Sequence, residues 1–150
     1  MRPLQLLLAI LVVCIAAITA APRARAATQA NALYSFGGSP DGNYPAANLV
    51  FDSAGDLYGT TVQGGTAGYG VVFELKPTSG GWSETILYDF CQKSACIDGA
   101  TPFASLVVDS SGNLYGTTYD GGEYGYGTAY KLSQQANGSW IESVIRSFGS

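Results

Sequence analysis

Residues Leu49-Val50-Phe51-Asp52-Ser53-Ala54-Gly55-Asp56-Leu57-Tyr58-Gly59-Thr60-Thr61 return 57 positions later as Leu106-Val107-Val108-Asp109-Ser110-Ser111-Gly112-Asn113-Leu114-Tyr115-Gly116-Thr117-Thr118. The match runs on through Gly64-Gly65 and Gly121-Gly122, then Gly68-Tyr69-Gly70 and Gly125-Tyr126-Gly127, and ends at Leu75 and Leu132. Of those 27 aligned positions 16 are identical, which marks an internal repeat. The register then slips by one, so that Trp82, Glu84 and Phe90 match Trp140, Glu142 and Phe148 at an offset of 58. Upstream, Tyr34-Ser35-Phe36 matches Tyr88-Asp89-Phe90 at an offset of 54, because Cys91 to Ala100 carries three extra residues. The chain therefore holds two complete units, about residues 37–90 and 91–148, preceded by the tail of another.

Each unit reads as four strands. Leu49 to Asp52 is a short apolar run stopped by a Ser-Ala-Gly-Asp turn, a composition suited to Asx and left-handed conformations. Leu57 to Val62 contributes Tyr and two Thr, good strand formers. Val71 to Leu75 alternates, placing Val71, Phe73 and Leu75 on one face and Glu74 on the other. A turn at Pro77 to Gly81 leads into Trp82 to Tyr88. Four antiparallel strands in roughly 45–55 residues fit a propeller blade better than a solenoid coil. The expected fold class is all-β: a partial β-propeller of two four-stranded antiparallel blades plus edge strands, preceded by a signal-peptide helix.

That leader is read from Arg2, the uncharged apolar run Leu6 to Ala21, and the small residues around Ala24-Arg25-Ala26. A charged start, an apolar centre and a small-residue exit make a secretory signal, here residues 1–26, with Ala20 as the earlier cleavage option. The rival is an uncleaved anchor, since the run falls just short of the usual spanning length. Cys14 is read as an apolar residue of the leader. The remaining 27–150 form the repeat region. Cleavage leaves four basic side chains against eleven acids, a formal charge of −7. Such a chain is soluble outside the cell, is not drawn to anionic membranes, and offers no basic surface for nucleic acid.

The 150 residues include 20 Gly and 10 Tyr, only 12% are charged, and His is absent. Without His the commonest general base and the imidazole metal ligands are missing. Mean hydropathy of +0.14 excludes a disordered tail.

The segments Asp52-x-x-Gly55-Asp56-Leu57-Tyr58-Gly59-Thr60-Thr61, Gly64-Gly65 and Gly68-Tyr69-Gly70, with their second copy from Asp109 to Gly127, resemble the GloVer tandem repeat. That repeat occurs in bacterial choice-of-anchor tandem repeat proteins, and the resemblance spans roughly residues 33–148. It implies a propeller-like extracellular domain, with no catalytic residues and no known ligand. Family members have many copies and often a surface anchor. Two complete copies ending at Ser150 without an anchor point to a fragment of a longer protein.

Cys91 and Cys96 are the two cysteines outside the leader. An even count in an exported chain predicts a disulfide stapling an inter-strand loop; a metal or redox site would need Cys-x-x-Cys spacing or His partners. Asp52 and Asp109 precede turn glycines, but a calcium loop needs six or more oxygens, so Asx-turn capping is expected. Glu84 and Glu142 are equivalent acids on neighbouring units. A glycosidase pair must converge across one bond, so these are expected to be similar solvated positions. The Gly64–Gly70 loop lacks the Lys-Ser/Thr of a phosphate loop, and its glycines are read as turn formers. Tyr69 and Tyr126 are expected to pack between blades, while Tyr119 and Tyr124 replace Val62 and Ala67 and are the better surface-binding candidates. Asn137-Gly138-Ser139 is a glycosylation sequon that only a suitable host would use.

The function expected is a secreted or cell-surface repeat protein acting as a non-enzymatic structural or adhesion-like module. The alternative is a fragment of an extracellular carbohydrate-active hydrolase or lyase whose active site lies outside this chain. No cofactor or metal is expected, and polysaccharide or protein is the partner class. The face carrying Val71, Phe73 and Leu75 is expected to lack a neighbour on one side, favouring self-association through open blade edges.

Overall fold

Ten strands follow one another through the repeat region: β1 (Gly42–Asn43), β2 (Val50–Phe51), β3 (Leu57–Thr61), β4 (Gln63–Gly64), β5 (Val71–Thr78), β6 (Gly81–Asp89), β7 (Val107–Val108), β8 (Leu114–Thr117), β9 (Thr128–Gln134) and β10 (Trp140–Ser147). The computed structural model describes residues 31–149, and the expected signal peptide lies outside them. Strands β2-β3-β5-β6 form one four-stranded antiparallel sheet and β7-β8-β9-β10 a second, with β1 and β4 as a separate pair. The all-β class and the two four-stranded units are as expected; the sheets do not close into a ring. Among the described residues the only helical turn is a 3-10 turn at Ser94–Cys96.

The two sheets copy each other in detail. Gly59 in β3 lies beneath Phe73 and Leu49, and a Cβ there would sit 2.6 Å from both side chains. Gly116 has the same crowding from Tyr130 and Leu106. The Gly of Leu-Tyr-Gly-Thr-Thr is thus fixed by packing. The second Thr ties the loop that follows: Thr61 Oγ1 donates to the Gln63 carbonyl at 2.8 Å, and Thr118 Oγ1 to that of Asp120 at 2.9 Å. Each outer strand carries a bulge at the same place, Leu87 in β6 and Ile145 in β10. The one-residue register slip falls in the hairpins, where four residues separate Pro77 from Trp82 and five separate Gln134 from Trp140.

The main core lies between the two sheets. Tyr58, Val72, Leu87 and Phe90 from the first unit pack with Leu106, Leu114, Tyr130 and Leu132 of the second. Each such side chain stabilises by about 1.5–3 kcal/mol. The alternation read for β5 holds, with Val71, Phe73 and Leu75 in one cluster and Val72 in the other, and since Glu74 is buried as well both faces are covered. The second unit covers one face and residues 34–36 the other.

The face expected to be open is covered over Val71, Phe73 and Leu75. Leu57, Val71, Phe73 and Leu75 form a second cluster, with Tyr34, Phe36 and Trp82 packed against it. Residues 34–36, expected as a remnant of a fourth strand, form no strand. Among the described residues no strand pairs with them, and the Tyr34 and Phe36 side chains pack them onto the first sheet.

Candidate functional site

Asp52 and Asp109 show what the repeated acidic turn does. Asp52 Oδ1 accepts from the backbone N–H of Ala54 at 2.8 Å and of Asp56 at 2.9 Å, while its Oδ2 meets the Tyr58 hydroxyl at 3.2 Å. Asp109 does the same with Ser111, Asn113 and Tyr115, and also accepts from Asn113 Nδ2 at 2.8 Å. The Asn113 side chain, with the turn N–H groups, holds the Asp109 carboxyl down to about 2. Both carboxylates are spent on Asx turns.

Glu84 and Glu142 depart from the solvated positions expected of them. Glu142 is 7% exposed, and Lys93 Nζ lies 2.8 Å from its Oε2. Its Oε1, and the hydroxyl of the fully buried Tyr130, have no hydrogen-bond partner among the described residues. Burial, with Glu142 nearby, pushes the Tyr130 hydroxyl well up. Glu84 is half-buried with Oε1 unpartnered, and burial beside Asp41 raises it to about 7. Each lies directly across its ladder from a core leucine, Glu84 from Leu75 and Glu142 from Leu132, and so shares the covered face of its sheet, which is why neither is solvated.

Those loops carry a device that sequence reasoning missed. The Tyr34 hydroxyl donates to Asp41 Oδ2 at 3.1 Å, and the Tyr88 hydroxyl to Asp98 Oδ2 at 2.8 Å. Each Asp also caps its own loop, Asp41 accepting from the N–H of Gly37 and Gly42 and Asp98 from those of Gln92 and Lys93. The signal was present: Asp41-Gly42 and Asp98-Gly99 stand 57 apart, so the repeat extends further upstream than Leu49. Between them Cys91 and Cys96 are joined as a disulfide, closing the loop that holds the three extra residues.

The tyrosines of the other loops are at the surface. Tyr119 is 73% exposed and Tyr124 50%, as expected of surface candidates. Tyr69 and Tyr126 are exposed as well, which corrects the expectation of packing between blades. What the repeat uses is their backbone: the Tyr69 carbonyl accepts from Thr101 N–H at 2.8 Å across the unit boundary. Glycines at positive φ on both sides, Gly68 and Gly70, turn the chain there, and the ring is left projecting. An open hollow of about 320 Å³ lies beside Phe103, Thr117 and Tyr119.

Taken together, the polar groups of the motif close turns, tie loops and hold the units together. Among the described residues no three acidic or cysteine side chains group as a metal site, and no helix is long and apolar enough to cross a membrane. No curated protein and no solved structure matches this chain. The Gloeobacter/Verrucomicrobia repeat model matches residues 20–150, covering both copies of the Leu-Tyr-Gly-Thr-Thr unit, and the chain belongs to that repeat family.

Proposed function

We propose that this chain is an exported structural and binding module, non-enzymatic in itself, whose units stack as blades of a β-propeller. One observation carries the reading: the main core joins the two sheets across the unit boundary, as in architectures where a unit cannot bury its own face and needs its neighbour. The disulfide supports an oxidising compartment outside the cytosol. The loops after β4 and β8 bring Tyr69, Tyr119 and Tyr124 to the surface, and exposed rings give contact area to a polysaccharide or protein at low entropic cost.

Mass spectrometry of secreted material tests the location, with a mature N terminus after Ala26 or Ala20 as the expected result. Intact Met1 on the exported protein would count against it. Binding is tested by pull-down on insoluble polysaccharide and on intact cells. Tyr119→Ala with Tyr124→Ala is expected to lower retention on one of them while leaving thermal stability unchanged.

A further inference from the structure

The boundary between the units is a template for a contact the chain does not make within itself. The first unit presents Val50, Tyr58 and Leu87 to the second, and each is buried or half-buried. Their counterparts on the second unit are Val107, Tyr115 and Ile145, with Tyr115 half-buried. Of these Val107 is 64% exposed and Ile145 59%. Thr60 Oγ1 donates across the boundary to the Ala104 carbonyl at 3.3 Å, whereas its counterpart Thr117 is exposed. The second unit therefore carries a docking face of the same design, which no described residue covers.

The receiving face is duplicated too. The second unit receives its neighbour through Leu106, Val108, Leu114, Tyr130 and Leu132. In the first unit these positions are Leu49, Phe51, Leu57, Phe73 and Leu75. Leu49 and Phe51 are exposed, and an apolar hollow of about 260 Å³ opens beside Leu49 and Phe36. The rest of that face is covered by residues 34–36.

This segment imitates a neighbouring unit. Phe36 stands edge-on to Phe73 at 4.8 Å, as Phe90 does to Tyr130 at 5.0 Å. Tyr34 meets Phe36 at 5.1 Å, as Tyr88 meets Phe90 at 5.2 Å. The Tyr34 hydroxyl is held by Asp41 as that of Tyr88 is held by Asp98. A unit docking on this face would need the same place for the end of its own outer strand, which in the second unit is Arg146 to Phe148.

We propose that the uncovered face of the second unit docks head to tail on the first unit of a second copy of this chain, and that Tyr34–Phe36 is a strap that blocks this association until it moves aside. The partner is a second copy because both faces are matched to each other by the contact already made inside one chain. This goes beyond the module reading, since it stands on the two faces and not on location or ligand.

Light scattering of the full chain at micromolar concentration tests it. Phe36→Ala loosens the strap, and a mass of two or more chains is expected where the parent protein is mainly monomeric. The same variant uncovers Phe73, so non-specific clumping must be told apart. Adding Ile145→Glu on the far face is expected to return Phe36→Ala to a monomer, which it would not do for clumping. The milder Tyr34→Phe removes only the hydroxyl held by Asp41 and is expected to raise the association constant about fivefold, the worth of one net hydrogen bond. A folded Phe36→Ala monomer, association that persists with Ile145→Glu, or a Tyr34→Phe protein that associates no better than the parent would each overturn the proposal.

Discussion

Lys93 Nζ lies 2.8 Å from Glu142 Oε2, and in the first unit no cation among the described residues pairs with the matching Glu84. Its Oε1 is buried with no hydrogen-bond partner among the described residues, and the charge of Asp41 acts on it. One repeated position is therefore neutralised in one unit and left as an unpaired acid in the other.

The first prediction concerns pH. Glu84 titrates near 7 in the folded chain, raised by burial and by Asp41 from an ordinary value of 4.5. Between those two values the folded state holds a proton that the unfolded state has lost, so stability falls as pH rises through this window and levels off above it. The melting temperature is expected to be higher at pH 5 than at pH 8. Glu84→Gln should flatten that slope and raise the melting temperature at pH 8. Asp109 works in a separate window with the opposite sign: held down to about 2 from 3.8, it adds stability that is lost as pH falls from about 4 towards 2. Thermal melts of the parent and Glu84→Gln across pH 4 to 8 decide the matter, and parallel curves would remove Glu84 as the cause.

Lys93 gives the complementary test. The Glu142 side chain is fully buried while that of Lys93 is half exposed. Removing the cation leaves a buried carboxylate with no partner charge, which costs far more than losing a surface pair. Lys93→Met is expected to lower stability by about 2 kcal/mol, in the range of a hydrogen bond to a charged group. Adding Glu142→Gln should restore part of that loss. Urea unfolding of the two single variants and the double variant measures the coupling, and purely additive losses would show that the pair does not act as one.

Much of this architecture was legible in the residues. The spacing of Leu49–Leu75 against Leu106–Leu132 gave two sheets, the aspartates gave Asx turns, and the paired cysteines gave the disulfide. Burial was harder to read, because it depends on which unit lies on which face. Glu74 and Glu142 look like solvent-facing positions in an alternating strand, yet both are buried: Glu74 lies against the Tyr58 hydroxyl at 2.8 Å, and Glu142 against Lys93. Tyr69 looked like a core residue because it repeats, when the repeated requirement is the backbone turn between Gly68 and Gly70. Of the candidate site, the exposure of Tyr119 and Tyr124 was readable from their lack of aromatic counterparts. The Tyr–Asp hooks were not, because three extra residues break the alignment between Tyr88 and Asp98.

The disulfide supplies a third prediction. Cys91–Cys96 closes a loop of five residues' separation, and cross-linking so short a loop contributes about 2 kcal/mol in the chain-entropy account. Cys96→Ser is expected to lower the urea midpoint accordingly without altering the two sheets. Thiol labelling of the native, non-reduced protein should find neither cysteine reactive. Two labelled thiols with unchanged stability would mean that the bond does not form in the native chain.

The last prediction isolates the glycine of the Leu-Tyr-Gly-Thr-Thr motif. Gly59 and Gly116 need no left-handed backbone; they are small because an aromatic ring from the next strand and a leucine close over them. A methyl group at Gly59 would meet Phe73 and Leu49 at 2.6 Å, so the core must shift, and overpacking of this kind costs about 1–3 kcal/mol. Gly80 offers a control: its backbone is not left-handed and a Cβ there would meet nothing within 4 Å. Gly80→Ala should stay within about 0.5 kcal/mol of the parent, and Gly59→Ala should fall well below it. Gly116→Ala should behave like Gly59→Ala, because Tyr130 and Leu106 crowd it in the same way. Chemical denaturation of the three variants measures the differences. If Gly59→Ala and Gly116→Ala were as stable as Gly80→Ala, the rings would not be packed on those glycines, and the explanation for the motif's central residue would fail.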